Sequence, residues 1–378
     1  MENVYLKTKN KKECNGCTLC SLICPKHAIS MIEDNEGFIY PEIDIKKCIN
    51  CGKCLKLCSN HSLENTKDTY KAYAVVNNNK DILMKSTSGG VFYAIASVIF
   101  KENNAVCFGA SFDKELNVKH MKVESLNDIA KFMGSKYVRS DILGIYEQVR
   151  NELENGKKVL FTGTPCQTQG LKLFLNKEYV NLYTCNIICH SNPSPKVYKR
   201  YIKGLELNNK SKVIEIRFRT KENGWNNPTP IITFANGKQI NENTYQKAFS
   251  RGLISRPSCS NCKFIKPQNY ADITIGDFWG VSKLTDIKGY ENGISLCLAN
   301  TKKGEEIISN LENVTIIQLD KNVDVFTYNH HEPIKPHRNR EKFFKRLDKC
   351  KDEDITQYIN KMSQERFIRR IYKKIVRR

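Results

Sequence analysis

Two cysteine runs with the same internal spacing carry the strongest chemical signal in this sequence of 378 residues. They are Cys14-x2-Cys17-x2-Cys20-x3-Cys24 and Cys48-x2-Cys51-x2-Cys54-x3-Cys58. Three thiolates at this short spacing can hold one face of an iron–sulfur cube, and the fourth thiolate of each run ligates the other cube. A pair of zinc sites is the alternative, but zinc needs four ligands and has no use for a third cysteine at the same spacing. We therefore predict two [4Fe–4S] clusters, one held by Cys14, Cys17, Cys20 and Cys58 and the other by Cys48, Cys51, Cys54 and Cys24.

The segment between the two runs predicts a small antiparallel hairpin. Alternating apolar and polar residues flank Asn35-Glu36-Gly37, which is a typical turn sequence. Pro25 closes the first run, whereas Ser59 follows the second run and departs from that pattern. Residues 12–60 resemble a bacterial two-cluster ferredoxin, and this resemblance implies an α+β ferredoxin-like domain that conducts electrons.

A third group of cysteines lies further along the chain. Cys166 follows Thr164 and Pro165 at the predicted start of a helix, where the helix dipole favours the thiolate. Two more cysteines belong to one predicted strand, and another two form the CxxC of PSCSNC. Five candidates thus compete for four places on a third cube, and a purely structural role for Cys166 stays open. Our preferred set is Cys166, Cys189, Cys259 and Cys262, with Cys185 as the doubtful member.

Several small or polar segments could bind an anionic or planar ligand. Ser88, Gly89 and Gly90 precede the apolar run 91–100, and backbone N–H groups at a helix start can bind phosphate. Ser88 could equally serve as a helix cap. The loop 134–140 combines small residues with Lys136, Tyr137 and an arginine, and the segment 271–280 brings Asp277 close to an indole. No GxGxxG, Walker or GxSxG motif is present, so a conventional nucleotide-binding domain is not indicated.

The order of these motifs resembles a known family. SGGVF, GSKYVRS, GTPCQ, ICH with a proline turn, CxxC and ADITIGDFWG follow one another between residues 88 and 280. Together they resemble the beta subunit of coenzyme F420 hydrogenase/dehydrogenase, here behind a two-cluster ferredoxin. The resemblance implies an α/β flavin-binding domain that is not of the Rossmann type, with FAD and an iron–sulfur cluster near it. The flavin-binding positions that it implies are Ser88, Gly89, Gly90, Lys136, Tyr137, Gly163, Thr164, Gln167 and Asp277.

Composition limits the classes of protein to which the chain can belong. Its 40% apolar content and 16 cysteines favour a folded metalloprotein over a disordered chain. The longest apolar run, Val91 to Phe100, is half as long as a membrane span, and the N-terminus is polar and basic. We therefore expect a soluble cytoplasmic protein with reduced thiols. The formal charge of +21 favours acidic partners, but no nucleic-acid-binding motif accompanies it, so we expect no nucleic-acid partner.

The C-terminal segment reads as a basic amphipathic helix. Apolar residues recur at helical spacing from Ile355 to Ile375, and Lys or Arg fills much of the rest. This helix could dock on a partner, touch an anionic membrane surface, or pack on its own domain.

These observations predict three parts: a two-cluster ferredoxin domain over 1–62, a flavin and Fe–S domain over 63–334, and a basic tail over 335–378. The function that they predict is an iron–sulfur flavoprotein oxidoreductase. It would pass electrons between a small two-electron redox substrate, F420-like or another, and the clusters by way of FAD. An electron-transfer protein or ferredoxin would be its partner. The alternative is an electron-transfer adaptor that feeds a partner reductase without turnover of its own.

Overall fold

The computed structural model describes residues 4–62, 70–328 and 332–364. Its strands are β1 Ile29–Glu33, β2 Ile39–Ile43, β3 Lys71–Asn77, β4 Ala105–Phe112, β5 Val118–Val123, β6 Lys158–Gly163, β7 Leu182–Ile187, β8 Val213–Thr220, β9 Thr229–Phe234, β10 Gln239–Ile240, β11 Ile273–Asp277, β12 Ser295–Ala299 and β13 Val314–Gln318. Its α-helices are α1 Tyr5–Thr8, α2 Leu19–Leu22, α3 Lys53–Lys56, α4 Lys80–Lys85, α5 Val91–Phe100, α6 Ile145–Glu154, α7 Pro165–Leu175, α8 Pro195–Asn209, α9 Thr244–Ser250, α10 Val281–Leu284, α11 Lys302–Ser309, α12 Arg340–Leu347 and α13 Ile355–Ser363. Short 3₁₀ helices occupy Lys11–Glu13, Leu126–Phe132, Pro257–Asn261 and Pro267–Tyr270.

The N-terminal part is built on the predicted hairpin. Strands β1 and β2 pair antiparallel, with Ile29 opposite Ile43 and Glu33 opposite Ile39. The carboxylate of Asp34 accepts hydrogen bonds from the amides of Glu36 and Phe38, which closes the turn. The short helices α2 and α3 contact each other, and each begins inside one cysteine run. The hairpin prediction is confirmed.

The larger part is organised around a mixed sheet of eight strands in the order β13-β3-β12-β11-β7-β6-β4-β5. The central strands β11, β7, β6 and β4 run parallel, and the outer pairings are antiparallel. Side chains of α5 and of the 3₁₀ helix Leu126–Phe132 share one apolar core with strands of this sheet. A separate three-stranded antiparallel sheet, β10-β9-β8, packs with α8, α9, α12 and α13 in another core. The mixed α/β class is as predicted.

The topology gathers polar residues at one edge of the large sheet. Parallel strands β6, β7 and β11 point their carboxyl ends in the same direction. Gly163 ends β6, Cys189 follows β7, and Asp277 ends β11. Ligands of open α/β sheets bind at such carboxyl ends, so this edge is the place to look for a site.

The described C-terminal residues pack on the body of the protein. Ile355, Ile359 and Met362 of α13 are buried in the core that also contains residues of α8 and α9. Of the three arrangements that the sequence left open for the basic segment, its described start thus adopts packing on its own domain. Ile368, Ile371 and Ile375 lie outside the described residues. No helix in the described ranges is long and apolar enough to cross a bilayer.

A close approach between α8 and the C-terminal segment makes a prediction about stability. A Cβ added at Gly204 would overlap the backbone oxygen of Asp352 and lie 2.5 Å from Cγ2 of Ile355. We expect Gly204→Ala to lower the free energy of unfolding by about 1 to 3 kcal/mol, because overpacking forces the backbones apart. Thermal unfolding measures this change. Lys199→Ala, at an exposed position of the same helix, is the control, and equal melting temperatures for the two variants would contradict the prediction.

Candidate metal and cofactor site

The eight N-terminal cysteines fall into two neighbouring groups. Burial raises the pKa of the Cys20 thiol, and the nearby thiols Cys17, Cys14 and Cys58 raise it further. Burial also raises the pKa of Cys54, and its thiol neighbours are Cys51, Cys24 and Cys48. The fourth cysteine of each run therefore lies with the first three cysteines of the other run. These neighbours agree with the crossed assignment, which stays a prediction, and Cys54 of the second set also lies near Cys20.

In the described part of the chain, no group of three or more His, Cys, Asp or Glu side chains is placed to hold one metal ion. Each thiolate of a cubane binds a different iron, so its sulfur atoms stand further apart than the ligands of a single zinc.

A third group of thiols lies at the carboxyl edge of the large sheet. Cys166 opens α7, Cys189 follows β7, and Cys259 and Cys262 belong to the 3₁₀ helix and the residue after it. All four line one small cavity. Burial raises the pKa of Cys189, and the neighbouring thiols Cys259, Cys166 and Cys262 add to this effect.

Cys185, the doubtful member of the sequence-based set, does not line this cavity. Its side chain is fully buried in the apolar core that also contains Cys107 and Cys297. The period-2 alternation of a strand allowed Cys185 and Cys189 to share a face. However, β7 ends at Ile187, so the chain has left the strand before Cys189 and the two thiols separate.

The first and third thiol groups meet across the boundary between the two parts. Cys17 packs with Leu173 and Phe174 of α7, the helix that begins at Cys166. The nearby Cys166 side chain also contributes to raising the pKa of the Cys17 thiol. The first and third thiol groups are therefore neighbours in the structure.

Two buried arginines of the larger part reach the first cysteine run. Nε of Arg256 donates to the carbonyl of Cys14 at 2.7 Å, and its Nη2 lies 3.6 Å from the Cys14 sulfur. Arg139 donates through Nη2 to the carbonyl of Gly16. The two residues are 1% and 6% exposed, and Nη1 of each has no hydrogen-bond partner in the described part of the chain. Buried, partly unpartnered cations beside thiols fit an anionic group, as a thiolate-ligated cube is.

A cavity of about 690 Å³ lies next to the third thiol group. Thr164, Cys189, His190, Ser191 and Asn192 line both this cavity and the thiol-lined one. Its volume is that of a ligand or cofactor site. Eight of the nine positions implied for flavin binding line it, namely Ser88, Gly90, Lys136, Tyr137, Gly163, Thr164, Gln167 and Asp277.

The ninth position, Gly89, is a packing residue and does not line the cavity. Its amide donates to the hydroxyl of Ser295 at 2.9 Å, and an added Cβ would overlap the carbonyl oxygen of Val75. The suggestion that Ser88 caps α5 is wrong, since Gly90 is the N-cap residue and makes no side-chain cap. The Ser88 hydroxyl instead donates to the carbonyl of Ile294 at 2.7 Å.

One wall of the cavity is a charged and aromatic group around Asp277. Its carboxylate pairs with Arg219 and accepts a hydrogen bond from the indole of Trp225 at 3.1 Å. The Arg219 guanidinium also lies over the ring of Trp279, 5.3 Å from its centroid. Sequence reasoning missed Arg219 and Trp225, which come from a distant strand and loop without a motif. This wall offers a planar cation and rings to a planar ligand.

Another part of the cavity lining carries a chain of hydrogen bonds. Nε2 of His120 donates to the carbonyl of Thr162 at 3.0 Å, so Nδ1 accepts the proton of Ser140 at 2.9 Å. The Gln167 side chain donates to Ser140 at 2.9 Å and accepts from the amide of Thr164 at 3.0 Å. Burial lowers the pKa of His120 to about 4, which keeps the imidazole neutral near neutral pH. This network fixes the N-terminal end of α7, where Cys166 lies.

The remaining wall presents the predicted loop 134–140. Lys136 donates to the carbonyls of Lys131 and Met133, both at 2.9 Å. Burial lowers the pKa of Lys136 to about 7. Tyr137 stacks on Phe249, with ring centroids 4.8 Å apart. The loop therefore supplies an ionisable amine and stacked rings on the cavity.

Two family comparisons cover most of this architecture. Residues 156–325 match the family described as the C terminus of the beta subunit of coenzyme F420 hydrogenase/dehydrogenase. Residues 13–61 match a 4Fe-4S dicluster domain. The resemblance drawn from the motifs is thereby confirmed: the chain carries the C-terminal domain of the F420 hydrogenase/dehydrogenase beta-subunit family behind a 4Fe–4S dicluster domain. It is thus related to an oxidoreductase subunit and to electron-transfer proteins with iron–sulfur clusters.

Among solved structures, a chain of the F420-reducing [NiFe] hydrogenase complex from Methanosarcina barkeri is similar, at 20% sequence identity. The match covers 78% of this chain and 92% of that chain, with a TM-score of 0.47. No curated protein sequence gives a significant match.

The buried imidazole of His120 makes folding sensitive to mild acid. Its pKa is about 4 in the folded protein and 6.5 as a free side chain, so below about pH 6.5 the unfolded chain binds the extra proton. The free energy of unfolding must then fall as the pH falls toward 4. We expect a loss of about 1 kcal/mol from this group between about pH 7.5 and about pH 5.5.

Anaerobic urea unfolding across this range measures the loss. His120→Gln should remove this part of the pH dependence, whereas His27→Gln, at an exposed position, should retain it. Equal slopes for the wild type and the His120 variant would show that the imidazole takes up its proton normally.

Proposed function

We propose that this protein is an iron–sulfur flavoprotein oxidoreductase. It passes electrons between a small two-electron redox substrate, for which coenzyme F420 is the first candidate, and its [4Fe–4S] clusters by way of FAD. The observation that carries this proposal is the shared wall of the two cavities. A cofactor in the 690 Å³ cavity lies against the residues that adjoin Cys166 and Cys189.

In this proposal the cysteines hold three clusters. Cys14, Cys17, Cys20 and Cys58 hold the first, and Cys48, Cys51, Cys54 and Cys24 the second. The third is held by Cys166, Cys189, Cys259 and Cys262. Support comes from the thiol neighbours of each cysteine and from the two buried arginines beside the first run.

The flavin is proposed to occupy the larger cavity. When bound there, FAD accepts two electrons together and passes them on one at a time. Lys136 and the backbone around Ser88 and Gly90 would hold its phosphates. The pKa of Lys136 is about 7, so its attraction to the phosphates is strongest below that pH, where the amine is mostly protonated. Arg219 and Asp277 would orient the planar ring system against Tyr137 and Trp279. His120, Ser140 and Gln167 keep the start of α7 fixed, so that the flavin and Cys166 stay at a constant separation.

The proposal predicts the cofactor content of the protein and of two cysteine variants. Anaerobically loaded protein should contain about twelve irons and one FAD per chain. Cys166→Ala should lower the iron to about eight, because it removes one ligand of the third cluster. Cys185→Ala removes a buried thiol of strand β7 that is not a proposed cluster ligand, so this variant should keep all the iron. Iron and sulfide analysis, flavin release and the visible spectrum measure these values.

Each contrary outcome has a separate meaning. Unchanged iron in the Cys166 variant refutes that ligand assignment. About eight irons in the wild type removes the third cluster. Absence of FAD after reconstitution refutes the flavin part and leaves an electron-transfer adaptor that serves a partner reductase.

The residue that departs from the ferredoxin pattern predicts a shift in potential. The Ser59 hydroxyl lies 3.0 Å from the Cys17 sulfur and accepts a hydrogen bond from Asn15 at 3.1 Å, so its own proton is free to point at sulfur. Hydrogen bonds to cluster sulfur stabilise the reduced state. We expect Ser59→Ala to lower the midpoint potential of the first cluster by something on the order of tens of millivolts.

Redox titration followed by electron paramagnetic resonance measures this potential. Ser59→Thr keeps a hydroxyl and should restore the wild-type value. Thr18→Val removes a neighbouring buried hydroxyl that has no hydrogen-bond partner in the described chain, so it should change little. An unshifted potential in Ser59→Ala would rule out tuning by this hydroxyl.

A further inference from the structure

The two N-terminal cysteine groups face different environments. Cys17 of the first group is buried against α7, whereas Cys51 of the second group is exposed. Two isoleucines beside the second run are also exposed, Ile45 by 86% and Ile49 by 57%. The exposed side of the second run therefore carries apolar side chains beside an exposed thiol.

Exposed lysines lie close to this apolar pair along the chain. Lys46, Lys47, Lys53 and Lys56 are all exposed and follow Ile45 closely along the chain. Acidic residues between positions 41 and 58 are limited to Glu42 and Asp44. Asp44 lies 3.7 Å from Lys47, and in the described ranges no ion pair involves the other three lysines. We call the surface formed by Ile45, Lys46, Lys47, Ile49, Lys53 and Lys56 the second-run surface.

We propose that the second-run surface docks a small acidic electron-carrier protein. This inference rests on the proposed function, in which the second cluster is the end of the internal electron path. One electron moves between the carrier's own metal centre and the cluster held by Cys48, Cys51, Cys54 and Cys24. One centre is oxidised as the other is reduced, and no proton or bond is transferred.

Charge and shape favour this occupant over others. Cationic and apolar side chains exposed on the same segment match an acidic protein with an apolar patch near its redox centre. The positive charge would also speed the encounter of the two proteins at low salt. A second copy of this chain would bring lysines against lysines. Single-stranded nucleic acid is bound by stacking on aromatic rings, and the exposed apolar side chains here are isoleucines.

The test uses the full chain with its clusters loaded and oxidised, without air. Pre-reduced acidic [2Fe–2S] ferredoxin is mixed with it in a stopped-flow spectrometer, and the second-order rate of cluster reduction is measured. Lys46→Glu combined with Lys53→Glu should lower this rate about tenfold or more at low salt. High salt should slow the reaction of the wild type and reduce the difference in rate between the wild type and this double variant. Ile49→Ser should slow the reaction without changing its salt dependence.

A matched double variant controls for net charge. Lys80→Glu combined with Lys302→Glu makes the same change in charge at exposed positions of α4 and α11, and should react like the wild type. Dithionite, a small reductant, should reduce the clusters of every variant equally. Failure of dithionite in the wild type counts against the proposed function. Normal reduction by dithionite with equal ferredoxin rates in the two double variants would overturn the docking surface.

Discussion

The contact of two buried guanidinium groups with the first cysteine run is the interaction on which the architecture depends. Arg139 and Arg256 both belong to the larger part, and both bond to backbone carbonyls between Cys14 and Gly16. Arg256 also lies over the ring of Tyr40, 4.3 Å from its centroid, and donates to the carbonyl of Ile39. A desolvated cation without a compensating anion is costly. The two parts are therefore joined by buried cations whose charge an iron–sulfur cluster at the first cysteine run would compensate.

This junction places the large cavity and the three thiol groups next to one another in space. The large cavity shares a wall with the Cys166 group, α7 packs on Cys17, and Cys54 is close enough to add charge to Cys20. Cys17 of the first group and Cys166 of the third group are buried. The second group reaches solvent at Cys51. The proposed path between an enclosed substrate and an external carrier would therefore leave the protein at the second group.

The sequence predicted those features whose chemistry is local. Cysteine spacing predicts the crossed ligand sets, and Thr164 with Pro165 correctly predicted the start of α7, where a capping box includes Gln167. It could not distinguish Cys185 from Cys189, because that depended on where β7 ends. It misjudged Gly89, whose role is the close approach of two strands that are distant in sequence. Arg219, His120 and Arg256 contribute through partners that are distant along the chain, and no local pattern reports such contacts.

The same charges connect cluster loading to folding. Without clusters, Nη1 of Arg139 and of Arg256 would stay buried with neither a hydrogen bond nor a strong anion nearby. An unsatisfied buried charge costs several kcal/mol, and the chain can avoid this cost by separating the N-terminal part from the body. A loaded cluster carries roughly two negative charges with its thiolates. The two guanidinium groups would compensate these charges. Anything that binds the docked form better than the separated form shifts the equilibrium toward docking. We therefore expect cluster loading to favour the docked arrangement of the two parts, because the cluster would supply the anion that these two arginines lack.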